Sequence, residues 1–290
     1  MARVIVLAVL ALLGFAANSV LARLALGGGS IEPLAYTGIR LLSGALALAV
    51  LIWSRERSGL VDMVRAGSWP GAAALAAYAI AFSLAYVLLG AGTGALILFA
   101  SVQFGILGRA IALGDRPGAL EWLGLAIAMG ALVYLLSPGL AAPHPLGAVL
   151  MVVAGLSWAA YTLIGRGSTR PLANTGGNFM RTVPIAAIMA VAGVLIQQPG
   201  SAGLAYAVAS GALASGLGYA VWYAVLPQLS RTSAAVVQLI VPSLAALGGV
   251  LLIGEELTAR LVIASVAVLG GVGIAIVAGE RRRRLDARGG

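Results

Sequence analysis

The 290-residue sequence predicts an all-α integral membrane protein of ten transmembrane helices in two inverted five-helix repeats. Three observations carry that prediction. Hydrophobic residues make up 61% of the chain and charged residues only 9%, with a mean hydropathy of +1.04. A soluble domain carries roughly a quarter charged residues. Apolar stretches recur at about the 20 residues that cross a bilayer as helix. The chain also repeats itself. Gly114-Asp115-Arg116-Pro117 and the run 120–136 return 140 positions later as Gly254-Glu255-Glu256-Leu257 and the run 261–277, with Gly130 falling on Gly270. One residue further in offset, Arg40-Leu41-Leu42 falls on Arg181-Thr182-Val183. Lipid offers the backbone no hydrogen-bond partner, so spans are helices or closed barrels. Barrel strands alternate polar and apolar over about ten residues, whereas these runs are continuous and twice as long.

The first span, 4–24, follows Arg3 and contains Asn18; lacking a small-residue cleavage site, it reads as a retained span rather than a removed signal peptide. The second, 33–53, holds Arg40 a turn or two inside the membrane, and the loop 54–68 is the longest. The third, 69–89, places Tyr78, Phe82 and Tyr86 on one face at i, i+4 and i+8. The glycine-rich turn Gly90–Gly94 leads into the fourth, 94–112, with Gln103, and the fifth covers 119–137. Residues 138–145, with three prolines, form a stiff connector between repeats 1–137 and 146–279. The sixth span, 146–165, carries Trp158 and Tyr161; the seventh, 177–197, carries Asn178, Arg181 and Pro184. The eighth, 202–224, carries Tyr219, Trp222 and Tyr223, and the ninth, 232–253, carries Gln238 and Pro242. The tenth, 259–279, precedes a basic tail, 280–290. Five spans per half make the second copy enter from the opposite face, and fused inverted halves point to a transporter with its site between them.

All eighteen basic residues are arginine. Started from the inside, fourteen fall in cytoplasmic loops and ends and only Arg23 and Arg260 outside, the positive-inside pattern for a multi-pass inner-membrane protein with both termini cytoplasmic. The run Arg281–Arg284 reads as an anchor to anionic headgroups rather than a nucleic-acid site. Membrane lipid and a small-molecule substrate are therefore the expected partners, and a monomer or weak homodimer the expected state. Small residues recurring every four positions (Ala207, Gly211, Ser215; Ala126, Gly130; Gly271, Ala275) let helices approach closely, chiefly within the monomer.

The mid-span aromatics Tyr78, Phe82, Tyr86, Trp158, Tyr161, Tyr219, Trp222 and Tyr223 either line a substrate cavity or form ordinary packing and interfacial belts. Gln103 and Gln238 offer donors and acceptors suited to a zwitterion, or bond helix to helix. Arg40 and Arg181 read as structural tethers to loop carbonyls or headgroups, with attraction of a substrate carboxylate as the alternative. Pro242 reads as a gating hinge within span nine and Pro184 as a plain kink.

Several classes are excluded or disfavoured. Without cysteine there is no disulfide or thiolate site, and no cofactor or metal is expected. Without lysine there is no phosphate-cradling Gly-Lys loop to use ATP. His144, the only histidine, lies in the connector, and no carboxylate pair lies in the spans, so enzyme chemistry is not expected. No Asp or Glu lies deep in a span, which disfavours cation–proton antiport and favours a neutral or zwitterionic substrate.

Together, the duplicated halves, Asn18 after an aromatic, Trp158-Ala159-Ala160-Tyr161, the paired Arg40 and Arg181, Val241-Pro242-Ser243 and Gly254-Glu255 resemble the ten-span, EamA-type branch of the drug/metabolite transporter superfamily. The resemblance implies export of amino acids, metabolites or drugs from a central cavity, and the chain looks most like the amino-acid exporters. The rival it leaves is a proton-coupled exporter of drugs or lipophilic metabolites. One departure is that family members usually carry a proline opposite Pro242 in span four, where this chain has Gln103.

Overall fold

A computed structural model of the chain describes residues 2–55, 59–114, 116–137, 142–166, 168–225, 228 and 237–289. Among these the protein is helical throughout. The elements are α1 (Ala2–Leu26), α2 (Pro33–Arg55), α3 (Gly59–Arg65), α4 (Trp69–Leu88), α5 (Ala91–Ala112), α6 (Ala119–Leu136), α7 (Pro145–Gly165) and α8 (Pro171–Ile196). Span eight is composite: α9 (Ser201–Ala209), a π-helical stretch Ser210–Leu217, and α10 (Gly218–Val225). It is followed by α11 (Val241–Ile253) and α12 (Ala259–Gly289). Nine helices among the described residues are long and apolar enough to cross a membrane, and α11 is a shorter apolar tenth.

Local chemistry sets the helix starts. Pro33, Pro145 and Pro171 open α2, α7 and α8, where a missing N–H costs no intrahelical bond. Ser68 caps α4 by accepting from the Gly71 amide at 3.1 Å. Glu32 accepts from the Leu34 and Ala35 amides at the head of α2. Glu255 accepts from the Ala91 amide, so span four starts at Ala91 and most of the predicted glycine-rich turn is helical. Pro242 likewise sits in the first turn of α11 rather than inside a long helix. The expected break in span nine is therefore a helix start, where proline is well accommodated; Pro184 does lie inside α8. Beyond the last span, α12 runs on through the basic segment to Gly289.

Exchanging the two halves preserves the packing. Helix α2 packs on α8, α5 on α11 and α6 on α12, each element meeting its own counterpart. The α4–α7 contact is mirrored by α1 against span eight, and α5–α7 by α1–α11. The π-helical stretch lies on α2 as α8 lies on α4. Close approach explains two small-residue seams. A Cβ on Gly211 would stand 2.0 Å from Ser43 Oγ and 2.1 Å from the Arg40 carbonyl, so span eight rides directly on the α2 backbone. Gly124 and Gly271 face each other's carbonyls across α6 and α12 in the same way. The Ala126–Gly130 stripe differs from expectation: both residues are exposed, and Gly130 and its repeat Gly270 have nothing within 4 Å of a built Cβ. Large apolar side chains such as Leu195, Leu251 and Val266 point outward, the composition of a lipid-facing surface.

A candidate substrate cavity at the centre of the bundle

Near the middle of α4, Tyr78 faces a cavity enclosing about 410 Å³ of atom-free space, part of it open to the surroundings. Five helical spans of the first and second halves contribute its walls: Phe15, Asn18 and Ser19 from α1, Tyr78 and Phe82 from α4, Leu98 and Phe99 from α5, Trp158 from α7, and Ala214 and Tyr219 from span eight. Gln238, just ahead of α11, completes the lining. No carboxylate is among these residues.

The aromatic walls form a continuous series. Tyr86 meets Phe82 edge-on at 4.7 Å, Phe82 meets Tyr78 at 5.3 Å, Tyr78 meets Trp158 at 4.9 Å and Trp158 meets Tyr219 at 5.1 Å. Phe15 continues it between Tyr219 and Trp222. Tilted and edge contacts at these separations are the favourable geometries for aromatic pairs.

Of the residues singled out from sequence, Tyr78, Phe82, Trp158, Tyr219 and Gln238 surround this one cavity. The others lie elsewhere. Tyr86 is fully buried behind Phe82 and donates to the Ala91 carbonyl at 3.4 Å. Tyr161 stacks against the outer side of the series at 5.2 Å from Trp158, and Trp222 packs with Ala11 and Phe15. Gln103 is half-buried on α5 and outside the lining. The Tyr223 side chain lies outside the described residues. Pro242 is buried at the head of α11, three residues after the Leu239–Ile240 turn begins.

A polar network backs the aromatic wall. Arg40 Nη2 donates to the Tyr78 hydroxyl at 3.0 Å and its Nε to Ser215 Oγ at 3.4 Å. Asn18 Nδ2 donates to the same Tyr78 oxygen at 3.2 Å, and Ser210 Oγ donates to Asn18 Oδ1 at 2.5 Å. Ser210 and Ser215 both come from the π-helical stretch, a rare form that is frequent at functional sites. The sequence signal for it was the run of poor helix formers Ser210-Gly211 and Ser215-Gly216.

The two repeat-related arginines behave differently. Arg181 donates to the carbonyl of Ala66, in the turn ahead of α4, and to that of Gly177 in its own helix. Among the described residues Arg40 bonds no loop carbonyl: it is 2% exposed, with its guanidinium over the Phe82 and Tyr78 rings at 4.7 and 5.1 Å.

Both ends of α4 are tied down. At its C-terminal end Glu255 pairs with Arg23 at 3.1 Å while accepting from the Ala91 amide at 2.8 Å, and Arg23 also donates to the Tyr86 and Val87 carbonyls. At the other end Asn178 accepts from the Ser68 amide, Asn174 from the Gly67 amide, and Arg170 pairs with Asp62 at 2.5 Å. Hydrogen bonding from Arg170 holds the Asp62 carboxyl below the usual carboxylate range.

Residues 145–277 match the EamA-like transporter family. The chain is 51% identical over 272 residues to the uncharacterized protein PA1977 of Pseudomonas aeruginosa, covering 94% of each. It is 28% identical over 249 residues to the uncharacterized transporter YwfM of Bacillus subtilis, covering 81% of each. A protein of known crystal structure, 20% identical, shares the fold with a TM-score of 0.63 over 93% of this chain and 98% of its own. The aromatic cavity thus sits inside a known scaffold: this chain belongs to the EamA-like transporters of the drug/metabolite transporter superfamily, and is a multi-pass membrane transporter of small substrates.

Proposed function

We propose that the protein exports small metabolites, chiefly neutral amino acids with aromatic ones among them, across the inner membrane by alternating access around the central cavity, with both termini cytoplasmic. The observation that carries this reading is the cavity itself: aromatic walls, a few uncharged polar groups (Asn18, Ser19 and Gln238 beside the Tyr78 and Tyr219 hydroxyls), and no carboxylate among the described lining residues. Exchange of a cation for protons requires an acid that binds either ion, and this lining supplies none. Tyr78, Phe82, Trp158, Tyr219 and Gln238 are the substrate contacts in this reading; Pro242, where α11 begins, is the point about which that helix swings.

The test is uptake of a labelled amino-acid panel by purified protein in liposomes, with and without a pH gradient. Saturable uptake without a gradient is the expected result. Silence across the panel, with flux of a cationic dye only under a gradient, overturns the reading in favour of drug antiport. Tyr78→Ala, Trp158→Ala and Tyr219→Ala each reduce flux in folded protein; unchanged flux in all three removes the cavity as the site.

A further inference from the structure

Arg40 is the largest fully buried side chain among the described residues, and its guanidinium is permanently charged. None of the carboxylates among the described residues neutralises it. Glu32 caps α2, Asp62 pairs with Arg170, Glu121 with Arg282 and Glu255 with Arg23. What Arg40 has instead are two hydroxyls, Tyr78 and Ser215, and two aromatic faces, while its Nη1 is buried with no hydrogen-bond partner. A buried charge held by neutral groups alone is costly, and a positive charge in a span ordinarily marks a pathway or a partner of opposite sign.

The hydrogen bonds indicate where that partner arrives. The Tyr78 oxygen accepts from both Arg40 and Asn18, which uses both of its lone pairs. Its own proton is then left to donate, and Tyr78 is a wall of the cavity whereas Arg40 stands behind it. A cation donating to a phenol polarises the O–H on its far side and makes it a stronger donor to an anion. Nothing acidic in the lining competes with an incoming anion or welcomes an amine.

We infer that the cavity recognises a substrate carboxylate, which accepts from the Tyr78 hydroxyl with Arg40 as the fixed countercharge behind it. This rests on the cavity being the transport site and defines what that site selects: organic acids and amino acids that carry a free carboxylate, against amines that lack one. Arg40 acts through Tyr78 and is a positioning residue; Tyr78 makes the contact.

Equilibrium binding to the purified protein in nanodiscs, with three probes sharing one ring, tests this: L-phenylalanine, hydrocinnamate (no amino group) and phenethylamine (no carboxylate). Both carboxylates bind, and phenethylamine binds weaker by about tenfold or more, the size of one hydrogen bond to a charged group. Tyr78→Phe keeps the ring and brings the carboxylates down by about tenfold while leaving phenethylamine unchanged. Arg40→Lys keeps the charge and the order of the three; Arg40→Gln, if folded, collapses the gap, a change that loss of packing alone does not make. Phenethylamine binding as tightly as hydrocinnamate overturns the inference, as does a Tyr78→Phe protein with unaltered preferences or failure of all three to bind. Hydrocinnamate binding without phenylalanine upholds it and overturns the amino-acid reading; phenylalanine and phenethylamine binding equally well does the reverse.

Discussion

Replacing Glu255 by alanine removes one carboxylate that four segments share. It lies in the loop between α11 and α12, takes the Ala91 amide at the head of α5, and holds Arg23 of α1, which in turn reaches the carbonyls that end α4. A hydrogen bond to a charged group contributes about 1.5–3 kcal/mol, and a carboxylate at a helix N-terminus adds about 0.3–1 kcal/mol. The side chains of Arg23 and Glu255 are 25% and 20% exposed, so water screens part of the pair and about 2 kcal/mol is the reasonable sum. On the scaling for soluble chains of 150–250 residues, that loss lowers Tm by about 4–8 °C. Thermal unfolding in nanodiscs measures it, and Glu255→Gln, which retains an acceptor for the Ala91 amide, falls less. A double-mutant cycle with Arg23→Ala isolates the pair and gives about 1 kcal/mol of coupling. A Glu255→Ala protein with native Tm, or a cycle that closes at zero, refutes the argument that this carboxylate ties the four segments together.

Gly211→Val forces a side chain into Ser43 and the α2 backbone, costing about 1–3 kcal/mol or more by overpacking, read as lost monodispersity on size exclusion; Gly130→Ala, with open space around it, is neutral or slightly stabilising. Glu121→Ala deprives the Gly118 amide and Arg282 of their shared acceptor and detaches α12 from the head of α6, lowering Tm; Arg282→Ala does so by less, because the cap remains. The Asp62 carboxyl is depressed by Arg170, so its stabilising contribution is fully present above the unfolded carboxylate pKa of about 3.9 and disappears as pH falls through the lower folded value. The Tm difference between native protein and Asp62→Asn is therefore constant from pH 7 to about 5 and shrinks only in stronger acid; a difference that changes near pH 6–7 contradicts this.

Hydropathy made the helical spans legible because lipid leaves the backbone no other choice, and the repeat made their pairing legible because like segments meet across the bundle axis. The aromatic site was legible where a polar-tipped ring lay at mid-depth, as at Tyr78, Trp158 and Tyr219. Phe15, Leu98 and Phe99 were not, since an apolar side chain inside an apolar helix carries no mark of which way it faces. Phe15 had one hint in its i, i+3 spacing from Asn18. Gln103, marked by its polarity and by its place opposite Pro242, lies outside the cavity lining; polarity in a span indicates the protein side of a helix and does not by itself place a residue at the cavity. Pro242 reads from the sequence as a hinge within span nine because the unbroken apolar run 232–253 does not show that α11 begins only at Val241. For Arg40, depth was visible in the sequence but its neighbours were not: Tyr78 and Ser215 lie 38 and 175 residues away.

The unlike surroundings of Arg40 and Arg181 break the equivalence of the halves. In a perfect inverted duplicate, swapping the postures of the two repeats converts one face-open arrangement into the other at no cost in free energy. Here one arginine sits against the cavity and the other against a loop, so the swap is no longer neutral. Under the alternating access proposed above, the unloaded transporter then rests with one face favoured even when nothing drives it. Half-saturation measured from the two sides of a liposome will differ, and the maximal rates will differ in the same proportion, since without a gradient their ratio must be equal from either side.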